Sequence, residues 1–423
     1  MRVFKFGGAS VKEASAVQNV ANIVSLYKGE KLAIVVSAMG KTTNAMEEIV
    51  EALCKRDQKG FTERVEERRA FHQQILEDLF SDVNSGIYAL VNSEFDKLLA
   101  MYDARVPDNF DFEYDQIVPM GEVISTLIVN AYLNETGISS AWADARELIR
   151  TNNRYREAEI DWDKTEELFQ TKFLPTYKKV DVQVTQGFLG HTSEGLTTTL
   201  GREGSDFSAG IIAYCCNAQD VTIWKDVPGM LNADPKWFDN TIKLESISFR
   251  EAIELSYYGA SVIHPKTVKP LQNKQIPLYV KSFIDPEASG TVIQASTSRD
   301  HLVPSFIFKM NQVLFSITPK DFSFLVEKNL SDIFDRLSKA NAKINLMQNS
   351  ALNFSFLLDE DKVNVEEMLA LFQDAYNVKF NEGLELVTIR HYDQATIDRV
   401  TIDKKVLLEQ KTRETARLIV KQK

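Results

Sequence analysis

Val3-Phe4-Lys5-Phe6-Gly7-Gly8, a helical run from Val17 to Leu26, and then Lys31-Leu32-Ala33-Ile34-Val35-Val36 together set the architecture of this 423-residue chain. The second apolar run does not alternate with polar residues, as a strand buried on both faces requires. Two such strands joined by one helix form a parallel pair, because a parallel crossover needs a connection of about a dozen residues or more. The paired glycines at the end of the first strand let backbone N–H groups approach an anion, and Lys5 adds a point charge beside them.

Outward from this unit, a charged stretch from Phe61 to Tyr102 carries apolar residues at helical spacing (Phe71, Ile75, Leu79) and reads as a helical insertion over the sheet. Strand–helix alternation resumes between Gly121 and Ser248, with strands at Gln183–Phe188 and Val221–Trp224. Ligands of such α/β sheets gather at the carboxyl ends of the strands. A loop with Pro286, Ser289 and Gly290 and the polar run Ser296–Asp300 marks a boundary. Beyond it come strand Val313–Thr318, helix Leu330–Ala340, strand Ile344–Gln348, strand Asn353–Leu358, helix Val365–Tyr376 and strand Leu384–Ile389. That order, βαββαβ, is the ferredoxin-like plan. Further strands are expected at Val406–Glu409 and Ala416–Val420, in a tail too short for a second complete module.

A net charge of −11 excludes a general nucleic-acid binder, so an anionic ligand must be held by local cations. The three cysteines (Cys54, Cys215, Cys216) suit buried small side chains rather than a disulfide framework, and the five histidines show no metal-ligand spacing. The chain opens directly into a strand, and no apolar run is expected to reach the roughly 18 residues that cross a bilayer. The expected location is cytoplasmic, with no membrane partner.

The densest chemistry lies in Leu200-Gly201-Arg202-Glu203-Gly204-Ser205-Asp206, which opens a helical run. A turn there offers N–H groups, a bidentate carboxylate clamp and an acid in one place. Ser37-Ala38-Met39-Gly40-Lys41-Thr42-Thr43-Asn44 closes the second strand with hydroxyls that serve either a ligand anion or a helix cap. Gly121-Glu122 opens another helix, its acid suited to the helix start or to an ammonium group. The loop Trp224–Lys236 carries Lys225, Asp226, Asp234 and Lys236 among Pro and Gly turn makers.

In that order and over about 290 residues, these pieces resemble the aspartate kinase family, with Lys5–Ser10, Ser37–Asn44, Gly121-Glu122 with Ser125-Thr126, Leu200–Asp206, Trp224–Lys236 and Gly259-Ala260…His264-Pro265 matching its motifs. The resemblance implies an amino-acid-kinase-like, mostly parallel sheet over residues 1–294, an ACT module over 295–390 and a truncated second ACT-like tail over 391–423. It implies transfer of the γ-phosphoryl group of ATP, with Mg2+, to the β-carboxylate of L-aspartate, the first step toward lysine, threonine and methionine. It gives Lys5, Gly8, Ser37 and Asp206 the catalytic work, and Thr43, Glu122, Arg202 and Ser205 the amino acid. Lys5, Gly7, Gly8, Lys225, Asp226, Leu231, Asp234, Lys236 and Ser261 fall to the nucleotide. A homodimer or homotetramer follows, with lysine or threonine as effector at Pro319–Leu325 and Ile344–Leu346.

Three positions depart from the family pattern: Ala9, Glu203 in place of a glycine, and Ser261 in place of a lysine. Lys225 and Lys266 are expected to supply the missing phosphate cation, and His264 is expected to be structural. The rivals are a kinase of another amino acid such as acetylglutamate, and a silent amino-acid sensor on the same fold. Length excludes a fused homoserine dehydrogenase from these 423 residues.

Overall fold

The computed structural model describes every residue except 105, 106, 239, 261, 262 and 322. It divides into two compact units, one of Met1–Met230, Lys243–Tyr257 and Ser261–Asp300, the other of Leu231–Ile242, Tyr258–Ala260 and His301–Lys423.

The first unit contains strands β1 (Arg2–Phe6), β2 (Leu32–Val36), β3 (Ser140–Ala143), β4 (Val182–Gln186), β5 (Leu189–His191), β6 (Thr197–Thr199), β7 (Asp220–Lys225), β8 (Ser246–Ser248), β9 (Leu278–Ser282) and β10 (Thr291–Gln294). Eight of them form one sheet in the order β3-β4-β2-β1-β7-β9-β10-β8, and β5 pairs with β6 as a hairpin. Every pairing in the large sheet is parallel except β9 with β10. Phe4 faces Ile34 on one side and Thr222 on the other, so β1 is the central strand from which the chain winds both ways. That is the topological switch point where α/β sheets take ligands.

Its helices are α1 (Ala14–Ser25), α2 (Thr42–Cys54), α3 (Gln58–Leu79), α4 (Gly86–Ala104), α5 (Phe110–Ile117), α6 (Met120–Glu135), α7 (Trp162–Leu168), α8 (Leu174–Tyr177), α9 (Gly204–Cys216), α10 (Phe249–Tyr258, ending at the unit boundary) and α11 (Pro265–Lys274). α1 buries Val17, Val20, Ala21 and Val24, one stripe at 3.6-residue spacing. α3 and α4 are the expected insertion, held by fully buried Phe61, Val65, Phe95 and Leu98. Phe6 stacks on Trp224 with ring centroids 6.1 Å apart and Phe4 meets the same indole edge-on at 5.6 Å, which locks β1 to β7. Burying each such side chain stabilises the fold by about 1.5–3 kcal/mol.

One sequence expectation is corrected. Phe110–Glu135 is long and apolar enough to cross a membrane by length and composition, with 78% of its apolar window buried inside the protein. The first ten residues of α6, Met120 to Val129, are all buried, so this helix is apolar because it packs inside the protein.

The second unit is built on two 15-residue strands, β11 (Ser305–Pro319) and β14 (Tyr376–Arg390). With β12 (Leu346–Asn349), β13 (Phe354–Asp359), β15 (Lys404–Lys411) and β16 (Thr415–Gln422) they form an antiparallel sheet ordered β12-β13-β11-β14-β16-β15. α12 (Glu327–Lys339) and α13 (Val365–Phe372) complete the βαββαβ plan read from the sequence, over a core of Phe315, Ile317, Ile333, Phe356 and Phe372. The register of β11 on β14 shifts between Lys309 and Gln312, where Asn311 takes a φ of 50°. Before that bulge, Phe306 joins Val387, Ile389 and Leu418 in a separate core under α14 (Gln394–Thr401). Two features exceed the sequence reading: β14 begins at Tyr376, where a helix was expected, and the tail carries α14.

Candidate active site

β1, β2 and β7 end side by side, so Lys5, Ser37 and Lys225 emerge at one edge of the sheet. Helix α9 begins at the same place, presenting Gly204, Ser205 and Asp206. Together with Thr43 and Glu122 they line an open cavity of about 950 Å³ in the first unit.

Asp206 organises the cations. It is buried in the first turn of α9; Lys5 Nζ lies 2.6 Å from its Oδ1 and Lys225 Nζ 3.7 Å from its Oδ2. Two ammonium groups thus share one carboxylate, and the helix start adds the partial positive charge of its unpaired N–H groups. That excess of positive charge is a site for an anion.

The loop after β1 approaches the loop after β2 closely. The Gly40 N–H donates to Gly8 O at 3.1 Å, and a Cβ placed on Gly8 would lie 2.8 Å from Ala38 O and 3.0 Å from Gly40 O. Only glycine fits there. Ser37 is held from both sides, its N–H donating to Phe6 O and its carbonyl accepting from Ser125 Oγ at 2.8 Å.

Glu122 lies at the start of α6. Gly121 permits the approach, since a Cβ there would be 3.0 Å from the Thr42 methyl and 3.1 Å from Ala38 Cβ. Burial pushes the Glu122 carboxyl up to about 8; the N–H groups of Ala38 and of Glu122 itself donate to it without offsetting that cost. Its Oε2 is buried without a hydrogen-bond partner among the described residues. A carboxylate facing a cavity in this state is completed by a cationic ligand.

Arg202 is exposed on the turn before α9, its guanidinium lining the cavity. Glu203 follows at φ 54°, the left-handed region, which explains why the family pattern carries glycine there. Its Oε2 is also buried without a hydrogen-bond partner among the described residues.

Of the residues proposed from sequence, Lys5, Ser37, Thr43, Glu122, Arg202, Ser205, Asp206 and Lys225 come together around this cavity. Gly7 and Gly8 form the loop behind Lys5. Asp226 is exposed and outside the lining, while Leu231, Asp234 and Lys236 belong to the second unit, where Asp234 Oδ1 accepts from the Lys236 N–H at 2.9 Å. Ser261 lies outside the described residues. Lys266 lines a neighbouring cavity instead, and His264 caps α11, its Nδ1 accepting from the Lys266 N–H at 3.1 Å.

Sequence reasoning missed a wall made by Tyr114, Arg156 and Asp111. Arg156 pairs with Asp111 at 3.2 Å and lies over the Tyr114 ring at 4.6 Å. Behind it Asp115 accepts from Thr199 Oγ1 at 2.7 Å and from the Arg156 N–H at 3.0 Å, tying α5 to the loop before α7 and to β6. Burial raises the Asp115 carboxyl to about 6 despite those bonds.

Residues 1–282 match the amino acid kinase family. The chain is 31% identical over 400 residues to the lysine-sensitive aspartokinase 3 of Escherichia coli K12, covering 92% of this chain and 86% of that one. The chain belongs to the amino acid kinase family, in its aspartokinase branch. Among solved structures, this family member superposes on E. coli aspartokinase III in complex with aspartate and ADP with a TM-score of 0.81 at 28% identity, over 99% of this chain and 96% of that one. The same enzyme with lysine and aspartate gives 0.84 at 27%, over 99% and 95%. The chain spans only 42% of a bifunctional aspartokinase/homoserine dehydrogenase of Arabidopsis thaliana, at 27% identity.

Proposed function

We propose that this chain is an aspartate kinase, which transfers the γ-phosphoryl group of ATP to the β-carboxylate of L-aspartate and yields 4-phospho-L-aspartate and ADP. The observation that carries the reading is a cavity holding two opposite devices: the Lys5–Asp206–Lys225 cluster, and the buried Glu122 with an unpartnered oxygen. The first suits phosphates, the second an α-ammonium group.

The reaction asks little covalent chemistry of the protein. A carboxylate with an ordinary pKa of about 3.9 is already ionised at neutral pH, so no general base is needed. A β-carboxylate oxygen forms the new bond to the γ-phosphorus as the bond to the bridging oxygen breaks and ADP leaves. The task is to hold two anions together and neutralise the spreading charge. Arg202 clamps the α-carboxylate of aspartate, Glu122 takes its ammonium, and Thr43 and Ser205 complete the amino-acid subsite. Lys5, Gly7, Gly8 and Ser37 face the transferring group, with Lys5 held in place by Asp206. Lys225, Asp226, Leu231, Asp234, Lys236 and Ser261 are proposed for the nucleotide.

Mg2+ is proposed to arrive on the nucleotide, since this ion keeps several waters and is bound through phosphates plus one or two carboxylates. Among the described residues no group of three His, Cys, Asp or Glu gathers to hold a metal alone, and Glu203 offers a buried oxygen without a partner. Bound with ATP, the ion supplies charge neutralisation.

We further propose an ACT module over residues 295–390 with a shortened second one in 391–423, an amino-acid effector there (lysine before threonine, after the E. coli relative), a homodimeric or homotetrameric assembly through edge strands β12 and β15, and a cytoplasmic location suited to three free thiols. The decisive assay is ATP-dependent aspartyl hydroxamate formation with aspartate, glutamate and acetylglutamate. Turnover is expected with aspartate alone, falling by roughly 10²–10³-fold in kcat/KM in Arg202→Ala. Amino-acid binding without turnover would sink the kinase reading in favour of a sensor.

A further inference from the structure

A second cavity, of about 700 Å³, lies beside the first and shares Arg154 and Glu157 with it. One wall is aromatic. Trp162 meets Tyr214 at 5.0 Å and Phe207 at 6.3 Å between ring centroids, both edge-on. The opposite wall is the outer face of α11, where Lys266 and Lys269 stand three residues apart and Asn273 follows one turn later. Residues at that spacing are neighbours on a helix surface.

The charges are unbalanced. Arg154 is matched by Glu157 at 3.2 Å and Glu159 at 3.6 Å, and Lys274, which lies over the Tyr214 ring, by Glu166 at 3.4 Å. The Lys266 and Lys269 ammonium groups have no ion-pair or hydrogen-bond partner among the described residues. Arg154, Lys266 and Lys269 against Glu157 and Glu159 leave the lining with one net positive charge, carried on the α11 face, and on a chain of net charge −11 that face selects an anion. Two lysines on one helical face suit a phosphate, and an aromatic wall suits a flat ring. The size is ordinary for a small-molecule site, which runs to roughly 300–1,000 Å³.

We propose that this cavity binds a mononucleotide-like ligand, a flat heteroaromatic ring carrying one phosphate, at a site separate from the catalytic cavity. The phosphate sits between Lys266 and Lys269, and the ring lies on Trp162 with Asn273 at its polar edge. The site also touches the catalytic loop: a Cβ built on Gly201, next to Arg202, would lie 3.7 Å from Lys266 Nζ.

The test is calorimetric titration of AMP into the full chain saturated with aspartate and inorganic tripolyphosphate, which fill the catalytic cavity without offering a ring to the second one. Saturable binding is expected at one equivalent, at least tenfold weaker in Lys269→Glu and retained in Arg202→Ala. Trp162→Phe gives an independent reading, expected to weaken AMP without changing the melting temperature by more than a few degrees. Absence of binding, or binding that both Lys269→Glu and Trp162→Phe leave intact, would overturn the proposal. So would AMP binding that tripolyphosphate and aspartate abolish, since the nucleotide would then occupy the catalytic cavity. None of these readouts depends on turnover, so failure of the kinase reading remains a separate result.

Discussion

At the scale of single residues, Glu122 sets a pH signature. Its folded-state pKa of about 8 is raised from 4.5 by burial, so the folded protein keeps a proton that the unfolded chain releases between those values. Its stabilising contribution is therefore complete below the lower value and is lost as pH rises through the upper one. An ammonium ligand reverses the preference, because it needs the carboxylate. The KM for aspartate is expected to fall as pH rises toward about 8, by up to roughly tenfold per unit, while kcat changes less. Glu122→Gln should raise KM and flatten the profile; an unchanged profile would remove Glu122 from the ammonium subsite. Glu203 makes a second prediction. A non-glycine residue at φ 54° carries left-handed strain of about 1–2 kcal/mol, partly offset by the greater freedom glycine has when unfolded. Glu203→Gly is expected to stabilise by about 0.5–1 kcal/mol in denaturant unfolding, and a lowered midpoint would contradict this. The residues proposed from sequence sit on short, dense motifs beside strand ends, which is why they were legible. Arg156, Asp111 and Tyr114 were not, because Arg156 meets α5 only in the tertiary fold, where its N–H donates to Asp115, 41 residues away.

At the scale of elements, the sheet was readable where a strand is covered on both faces. β2 is uniformly buried and its unbroken apolar run announces it, whereas β4, equally buried, carries Gln183 and Gln186 among its β-branched residues. β14 was harder to read. Its first half, from Asn377 to Gly383, is largely exposed and polar, so neither period is visible, whereas its second half from Leu384 is buried throughout. α14 is one short helix marked only by an N-cap: the Asp393 side chain accepts from the Thr396 N–H, and the Thr396 hydroxyl lies 2.9 Å from the Asp393 N–H. The close approach of the β1 and β2 loops sets the third prediction. Gly8→Ala would drive a methyl group to within 2.8 Å of Ala38 O, a backbone atom that cannot swing away. A loss of about 1–3 kcal/mol in stability is expected, with a larger fall in kcat than in aspartate affinity because Lys5 shifts while Glu122 does not. Full activity in this variant would show that the loop has slack.

At the scale of the whole molecule, the cavity proposed for the chemistry and the edge proposed for its control lie in different units. Every residue lining the cavity of about 950 Å³ lies in the first unit, which has a mostly parallel sheet and two cation-bearing strand ends. The second has an antiparallel sheet with separate cores, two of them on either side of the bulge at Asn311, and the proposed effector edge at Pro319–Leu325 and Ile344–Leu346. This division predicts two separable patterns of amide protection. ADP with aspartate should slow exchange in peptides spanning Lys5–Gly8, Ser37–Thr43 and Gly201–Asp206, which line or back the cavity. An amino acid that acts through the ACT region should slow exchange first between His301 and Lys423 in the absence of substrate, with the apparent stability rising by RT ln(1 + [L]/Kd), about 2.7 kcal/mol at a hundredfold excess over Kd. Lysine is the first ligand to try and threonine the second. Protection by either one confined to the cavity peptides would mean that it competes for the aspartate subsite. Regulation would then be simple product-like competition through Arg202 and Glu122, and the second unit would need another role.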